Sequence, residues 1–501
     1  MREKEYIKKQ YAAILSSIGV IMLLSSGVML LPLFMLPLYP QEAVNAWAFM
    51  LPAIYLGLPG LILWKSFRRH GVTLSIPEGG VIVLVSWSVV IIISALPFIY
   101  LMDMTFSRAV FESMSGWTTT GLSVVDVTKA SRLILTWRSI MQLSGGAGLA
   151  IIMMSAIVGP TGVGISNAEG RGDQLVPNIR QSSRLVVMIY LGYAATGIMV
   201  YKLAGMSLFD AINHSFTAVS TGGFSTQPES IGHWDSFAIE VVSIPLMILG
   251  NLSFITAWYL WRGKLGAVVH NGEVRLMAVI LPISALIVFI FTCQGIYSHL
   301  TKPMRVAVFE TVSCLTTTGF QTVSYNNWNG TGIFILILLM LIGGGTCSTA
   351  GGIKQFRIYL MWRLFLWEIK RLLLPGTAVV ECPIWEGDRK SFVDDSKVRH
   401  VCVFLFMYIT TYILGSLVLC AYGYPLKDSL FEFASAIGTV GTSVGVTSYK
   451  MPDAALWVEI LGMFLGRLEF MVIFISLIKI GKDSRVMFSK KRDPHGISGH
   501  H

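Results

Sequence analysis

Charged side chains are scarce in this chain. Asp, Glu, Lys and Arg make up 13% of its 501 residues, and hydrophobic residues make up 54%, whereas soluble domains carry about 25% charged residues. This composition excludes an ordinary soluble protein and predicts an all-α membrane protein with several spans. The net charge of +10 does not indicate nucleic-acid binding, because the basic residues stand between apolar segments, as they do in membrane proteins.

The signatures of metal sites, disulfide frameworks and hydrolases are also missing. The six cysteines are scattered, without the C-x-x-C spacing of a zinc site. Although His214 and Ser215 are adjacent, neither G-x-S-x-G nor H-E-x-x-H occurs, so no pattern joins a nucleophile to its base. We therefore expect neither enzymatic activity nor a bound cofactor.

Ten apolar stretches are long enough to cross a bilayer, which takes about 20 residues. They lie at 11–37, 45–64, 80–102, 133–158, 185–205, 238–261, 276–298, 332–353, 401–423 and 454–478. No small-residue cleavage site follows the first stretch, which predicts an uncleaved helix. Most Lys and Arg residues fall in alternate loops, so we expect both termini in the cytoplasm.

One pattern recurs after the third, fifth, seventh and ninth stretches. Its copies are ESMSGWTTTGLS (112–123), HSFTAVSTGGFS (214–225), ETVSCLTTTGFQ (310–321) and EFASAIGTVGTS (432–443), and they align without a gap. One column is threonine and another is glycine in all four copies. A single copy would be ordinary turn material, but four in register indicate an internal repeat.

Each copy ends a piece too short to cross the membrane, at about 106–117, 207–219, 303–315 and 426–437. Irregular backbone at membrane depth is tolerated where it lines water or is buried in protein. Four such loops around one axis would form a ring of oxygens that replaces the hydration shell of a cation. The predicted selectivity filter and K⁺ site comprises Thr118, Thr119, Thr120, Gly121, Ser220, Thr221, Gly222, Gly223, Thr316, Thr317, Thr318, Gly319, Gly438, Thr439, Val440 and Gly441.

A second glycine column lies further along each repeat, at Gly145, Gly250, Gly343 and Gly466. The column after it reads Gly146, Asn251, Gly344 and Arg467. A charge at mid-membrane is costly and is a functional candidate by default. We therefore predict that Arg467 forms an electrostatic gate in the cation path. The alternative is a structural pairing with Glu469 or with carbonyl groups of a neighbouring helix.

The third repeat contains IGGGTCSTAGGIK at 342–354, with five glycines inside an apolar stretch. Glycine in a helix interior costs about 1 kcal/mol relative to alanine. We predict a broken helix with an intramembrane loop at about 343–353 that acts as a moving gate. The alternative is close helix packing through small residues. The predicted gate residues here are Gly343, Gly344, Gly345, Thr346, Ser348, Thr349, Gly351 and Gly352.

These features resemble the Trk/Ktr/HKT superfamily of potassium transporters over about 75–490. The two additional N-terminal stretches resemble the Trk branch and its TrkH-type membrane subunit. The resemblance implies a pseudo-fourfold pore inside each protomer, a homodimer in the bacterial inner membrane, and a cytosolic ring of nucleotide-binding RCK subunits (TrkA-type). It implies constriction of the pore by Arg467 and by residues 343–352. Glycine rather than serine at Gly121 favours potassium over sodium.

The resemblance divides the chain into an N-terminal helix pair (1–74), pore repeats (75–160, 161–264, 265–375 and 376–480) and a cytoplasmic tail (481–501). Gly222 and Gly438 depart from the repeat, so the four quarters are not equivalent. A proton- or sodium-coupled symporter, or a less selective Na/K transporter, stays open as an alternative. Residues 354–371 and 171–184 are predicted docking surfaces for a cytosolic regulator, or contacts with anionic lipid.

Overall fold

The computed structural model describes residues 2–67, 74–146, 179–297, 301–375, 381–386 and 389–488. Its helices are α1 (Arg2–Met29), α2 (Trp47–Phe67), α3 (Ile76–Ser94), α4 (Leu96–Met102), α5 (Phe106–Trp117), α6 (Arg132–Gly146), α7 (Ile179–Leu203), α8 (Leu208–Val219), α9 (Phe237–Asn251), α10 (Phe254–Trp261), α11 (Leu265–His270), α12 (Gly272–Phe291), α13 (Thr301–Leu315), α14 (Gly330–Ile342), α15 (Gln355–Leu372), α16 (Asp395–Ala421), α17 (Leu426–Gly438), α18 (Asp453–Leu468) and α19 (Phe470–Phe488). Short 3₁₀ helices lie at Leu31–Met35, Pro40–Asn45, Ser230–Trp234 and Cys293–Gly295.

One element departs from the all-α expectation. Strands β1 (Pro383–Glu386) and β2 (Arg389–Phe392) pair antiparallel in the longest polar segment of the chain. Ile384 of β1 is buried in a small apolar cluster with Leu360 and Val401. The hairpin therefore packs on α15 and α16 and does not form a separate domain.

The helices have the length and hydropathy of a multi-pass membrane protein. Within the described ranges, six helices are long and apolar enough to cross a membrane, and two bent helix pairs bring the number up to eight. The six fall on the first, second, third, fifth, seventh and ninth predicted stretches. The fourth, at 133–158, is described only as far as Gly146, where α6 ends. The predicted count of ten spans therefore includes residues outside the described ranges. Part of the predicted docking surface, residues 171–178, also lies outside them.

Three helices that follow a repeat copy break near the second glycine column. Helices α9 and α10 meet at 117°, and α18 and α19 meet at 100°, so the chain bends inside the predicted stretches at 238–261 and 454–478. Helix α14 ends at Ile342 and α15 begins at Gln355, which confirms the break predicted there.

The glycine column explains how these helices pack before they bend. A Cβ atom on Gly145, Gly250 or Gly466 would collide with the carbonyl oxygen of Trp117, Val219 or Ile437, respectively. Each of these carbonyls lies two residues before a repeat threonine. The helices that follow the repeat copies, α6, α9, α14 and α18, are termed the long helices. Glycine therefore allows a long helix to lie directly against the end of the short helix that precedes it.

The four short helices, α5, α8, α13 and α17, pack in a regular order. Helix α6 contacts α8, α9 contacts α13, α14 contacts α17, and α18 contacts α5. Each long helix of one repeat therefore supports the short helix of the next repeat. The last contact returns to the first repeat, so this packing closes on itself.

Candidate functional site

The predicted filter residues form four threonine–glycine segments, defined as 118–121, 220–223, 316–319 and 438–441, with one backbone conformation. The second residue is left-handed in each, with φ of 57°, 50°, 53° and 51° at Thr119, Thr221, Thr317 and Thr439. The last residue, glycine, has φ between 75° and 100° in all four. A left-handed residue other than glycine costs about 1–3 kcal/mol, and such strain clusters at functional sites.

The four segments contact one another in a closed ring. A Cβ atom on any of the four glycines would collide with a carbonyl oxygen of the next segment. The colliding pairs are Gly121 with Gly222, Gly223 with Thr318, Gly319 with Val440, and Gly441 with Thr120. Because the fourth segment returns to the first, the ring is built from backbone of all four repeats.

Carboxylates on three short helices hold the chain just beyond the ring. Each accepts the backbone N–H of the residue twelve positions later, at 2.8–3.1 Å; the pairs are Glu112 with Val124, Glu310 with Thr322, and Glu432 with Val444. In the second repeat His214 occupies this position, with Nε2 2.9 Å from the Ser225 hydroxyl. All four side chains are buried. These side chains hold the residues that directly follow each segment.

Serine hydroxyls hold two of the glycines directly. Ser115 accepts the N–H of Gly121, and Ser435 accepts the N–H of Gly441, each at 2.9 Å. The first and fourth segments are thus held by the same contact at the same repeat position.

The two departures from the repeat have steric causes. A side chain at Gly222 would collide with the amide group of Gln142, whose Nε2 donates to the Gly222 carbonyl at 2.5 Å. A side chain at Gly438 would approach the carbonyl oxygen of Met340 on α14. Both glycines therefore make room for a neighbouring repeat.

The glycine-rich loop, residues 343–354, lies against the threonines of all four segments. The Thr349 hydroxyl is 3.0 Å from that of Thr221, and the Thr119 hydroxyl donates to the Thr349 carbonyl at 3.5 Å. The Gly351 N–H donates to the Thr317 hydroxyl at 3.0 Å. Gly351 also lies so close to the Thr439 hydroxyl that a Cβ atom would collide with it. The loop therefore covers one face of the ring.

The remaining residues of the predicted gate build this loop and attach it to its neighbours. Gly344 donates to the Gly351 carbonyl at 3.1 Å, across a close contact between Gly343 and Gly352. Ser348 donates to the Gly345 carbonyl at 2.6 Å, and the Thr346 N–H donates to Glu273 at 2.7 Å. These contacts hold the loop in one compact conformation.

Two polar members of the column after the second glycine column hold the loop from different sides. The side-chain oxygen of Asn251 accepts the Gly345 N–H at 3.2 Å. Arg467 donates through Nη1 to the Thr349 carbonyl at 2.6 Å and through Nη2 to the Gly145 carbonyl at 2.9 Å. Arg467 thus lies beside the loop. Its contacts with carbonyl groups are also those expected if Arg467 has a structural role and not a gating role.

Further basic side chains act on the same loop. Lys354 donates to the Ala350 carbonyl, and Arg357 donates to the Ile353 carbonyl at 3.1 Å. Arg357 also forms an ion pair with Glu469 at 2.7 Å. The cavity between these groups and Arg467 has a volume of about 20 Å³, which is room for about one water molecule.

Sequence reasoning missed Arg138 and Gln142 of α6. Gln142 binds Gly222 of the second segment, and Arg138 binds Ser123 and Ser225, just beyond the first and second segments. Both are buried, and they lie one helical turn apart. Two large polar residues at this spacing inside an apolar stretch were the available signal, because buried polar groups require partners.

The long apolar helices define a multi-pass membrane protein. The TrkH family model, described as a cation transport protein, matches residues 46–486, and the chain belongs to this family. It is 30% identical to "Trk system potassium uptake protein TrkH" of Salmonella typhimurium, over 93% of this chain and 98% of that protein. It is 29% identical to "Uncharacterized cation transporter MJ1485" of Methanocaldococcus jannaschii, over 93% and 95%. The crystal structure of the potassium transporter TrkH from Vibrio parahaemolyticus matches with a TM-score of 0.82 and 29% identity, over 94% of this chain and 98% of that one.

Proposed function

We propose that the protein carries potassium into the cell through a pseudo-fourfold pore formed by the repeats of a single chain. The four threonine–glycine segments form its selectivity filter, and K⁺ is the substrate. The closed ring of glycine–carbonyl contacts carries this proposal. Such a ring presents backbone and threonine oxygens that replace the water of a dehydrating cation. The four short helices end at the ring, where the partial negative charge of their C-termini favours a cation.

The glycine-rich loop and Arg467 form the gate. The loop contacts the threonines of all four segments, so ions pass only when it moves. Arg467 holds the Thr349 carbonyl and brings a positive charge to this point, which opposes cation passage. Residues 343–352 and Arg467 therefore act as one unit and not as alternative gates.

The chain is the ion-conducting subunit of a Trk-type system. The names of its relatives, which describe a Trk system, support this assignment. A homodimer in the bacterial inner membrane, both termini in the cytoplasm and a nucleotide-binding RCK partner of TrkA type complete the proposal. In this proposal the chain is divided after residues 74, 160, 264, 375 and 480 into the N-terminal helix pair, the four pore repeats and the cytoplasmic tail. Helix α15 forms most of the proposed docking surface at 354–371 and begins directly after the glycine-rich loop, which is also termed the gate loop. Movement of α15 by a bound partner would therefore move that loop.

Cation flux into proteoliposomes of the purified protein tests the function. We expect K⁺ and Rb⁺ flux well above Na⁺ and Li⁺ flux without an imposed pH gradient. Flux that requires the gradient would replace the proposal with a coupled symporter, and equal Na⁺ and K⁺ flux would indicate a less selective transporter. No flux with or without the cytosolic partner would contradict the four-segment filter.

A further inference from the structure

The second repeat lacks the carboxylate that holds the backbone in the other three repeats. In its place, His214 has Nδ1 2.8 Å from the Asp210 carbonyl and Nε2 2.9 Å from the Ser225 hydroxyl. A carboxylate offers two acceptor oxygens, whereas a neutral imidazole offers one acceptor nitrogen. Both ring nitrogens of His214 are engaged, so the backbone beyond Gly223 requires partners from elsewhere.

Helix α6 of the first repeat supplies these partners. The Gln142 side chain donates to the Gly222 carbonyl at 2.5 Å and accepts the Phe224 N–H at 3.1 Å. Arg138 donates through Nη1 to the Ser225 carbonyl at 2.9 Å, and its guanidinium lies 4.0 Å from the centre of the Phe224 ring. One face of α6 therefore holds the second segment at its end and the two residues that follow it.

Arg138 uses the remaining donors of the same guanidinium to hold residues on both sides of the first segment. Its Nε forms an ion pair with Glu112 at 2.7 Å, and its Nη2 donates to the Ser123 hydroxyl at 2.9 Å. The residue is 2% exposed. A guanidinium is planar and its donors have a fixed geometry. The distance between Ser123 and Ser225, each two residues beyond a filter glycine, is therefore set by one rigid group.

We propose that Arg138 is a positioning residue that sets the spacing between the first and second filter segments, and through it the selectivity for K⁺ over Na⁺. The inference rests on the proposed filter function. Arg138 touches no filter oxygen itself; it acts through Ser123 and Ser225. Because the number and placement of oxygens discriminate between cations, a shift of one quarter of the ring alters the preference.

The test compares the ratio of K⁺ to Na⁺ flux in proteoliposomes for Arg138→Gln, Arg138→Lys and the unchanged protein. We expect Arg138→Gln to lower the ratio about tenfold, which corresponds to about 1.4 kcal/mol of discrimination between the two cations. Lysine keeps the charge beside Glu112 but lacks the planar fork, so Arg138→Lys should also lower the ratio. A normal ratio in Arg138→Lys would reduce Arg138 to a counter-charge and overturn the proposal.

Three further variants make the result decisive. Arg305→Gln removes ion pairs with Glu240, at 2.7 Å, and Asp235, at 3.5 Å. Arg305 lies near the start of α13, at the opposite end from the third segment, so this change should leave the ratio unchanged. If Arg138→Gln does not assemble, Gln142→Met removes the neighbouring contacts without removing a charge and should still lower the ratio. Gly121→Ser tests the filter itself. A ratio altered by Gly121→Ser but by no change at Arg138 or Gln142 would refute this inference alone, and a ratio altered by none of them would refute the filter.

Discussion

The Nη1 atom of Arg467 lies 2.6 Å from the carbonyl oxygen of Thr349. The hydroxyl of the same threonine donates to the Gly250 carbonyl at 2.9 Å and lies 3.0 Å from the Thr221 hydroxyl. Thr349, a residue of the third repeat, thus connects Arg467 of the fourth repeat to the ring. A movement of Arg467 would be transmitted to the ring by hydrogen bonds.

Replacement of Arg467 by alanine should increase potassium flux. It removes a positive charge from the proposed path and frees the Thr349 and Gly145 carbonyls. A hydrogen bond to a charged group contributes about 1.5–3 kcal/mol, so we expect at least about a tenfold rise in K⁺ flux into proteoliposomes. Arg371→Ala, measured without a cytosolic partner, is the control. Arg371 is exposed on α15, and its ion pair with Glu368 has a distance of 3.5 Å. Unaltered flux in Arg467→Ala would leave the arginine with a structural role.

Serine at Gly441 should relax the selectivity for K⁺ over Na⁺. The new Cβ atom would collide with the Thr120 carbonyl of the next segment, and the φ of 100° disfavours any side chain. Gly423→Ser is a matched control: Gly423 has a φ of 92°, but no atom lies within 4 Å of its Cβ position. Both changes carry similar backbone strain, and only the first disturbs the ring. The measurement is the ratio of K⁺ to Na⁺ flux, and equal effects of the two variants would argue against a filter.

The sequence predicted the repeated segments and the break in the third repeat, because each leaves a dense local signal. Four aligned copies and five glycines within 342–354 require no knowledge of distant contacts. The bends after Asn251 and at Glu469 leave a weaker signal. Each follows a single glycine and a short stretch of mixed polar and apolar residues, which is also compatible with a straight helix. Glu469 itself is left-handed, with φ of 60°, and nothing in its neighbours along the chain indicates this.

The contacts of Arg138 were beyond sequence reasoning for a different reason. They join Glu112 and Ser123 of the first repeat to Ser225 of the second. The pattern of repeats predicts a ring but does not state which long helix faces which short helix. Partners between repeats therefore became visible only in three dimensions.

Alanine at Gly351 should displace the gate loop from the ring. The added methyl group would collide with the Thr439 hydroxyl and approach the Gly438 carbonyl. Because backbone and a short side chain cannot yield far, the loop must move, and we expect K⁺ flux to rise. Gly481→Ala is the control, since no atom lies within 4 Å of its Cβ position in α19 and alanine favours a helix by about 1 kcal/mol. Reduced flux in Gly351→Ala, with normal assembly, would mean that the loop contacts support the conducting state.

The ion pair between Arg357 and Glu469 should stabilise the closed gate. It joins the start of α15, just after the gate loop, to the bend between α18 and α19 at a distance of 2.7 Å, so opening that separates these elements must break it. Both side chains are about one fifth exposed, and a partly screened pair contributes up to about 1 kcal/mol, which corresponds to a rise in flux of about fivefold. We expect Glu469→Gln and Arg357→Gln to raise K⁺ flux and the double variant to raise it no further. Additive effects in this double-mutant cycle, measured as flux into proteoliposomes, would show that the two residues act independently.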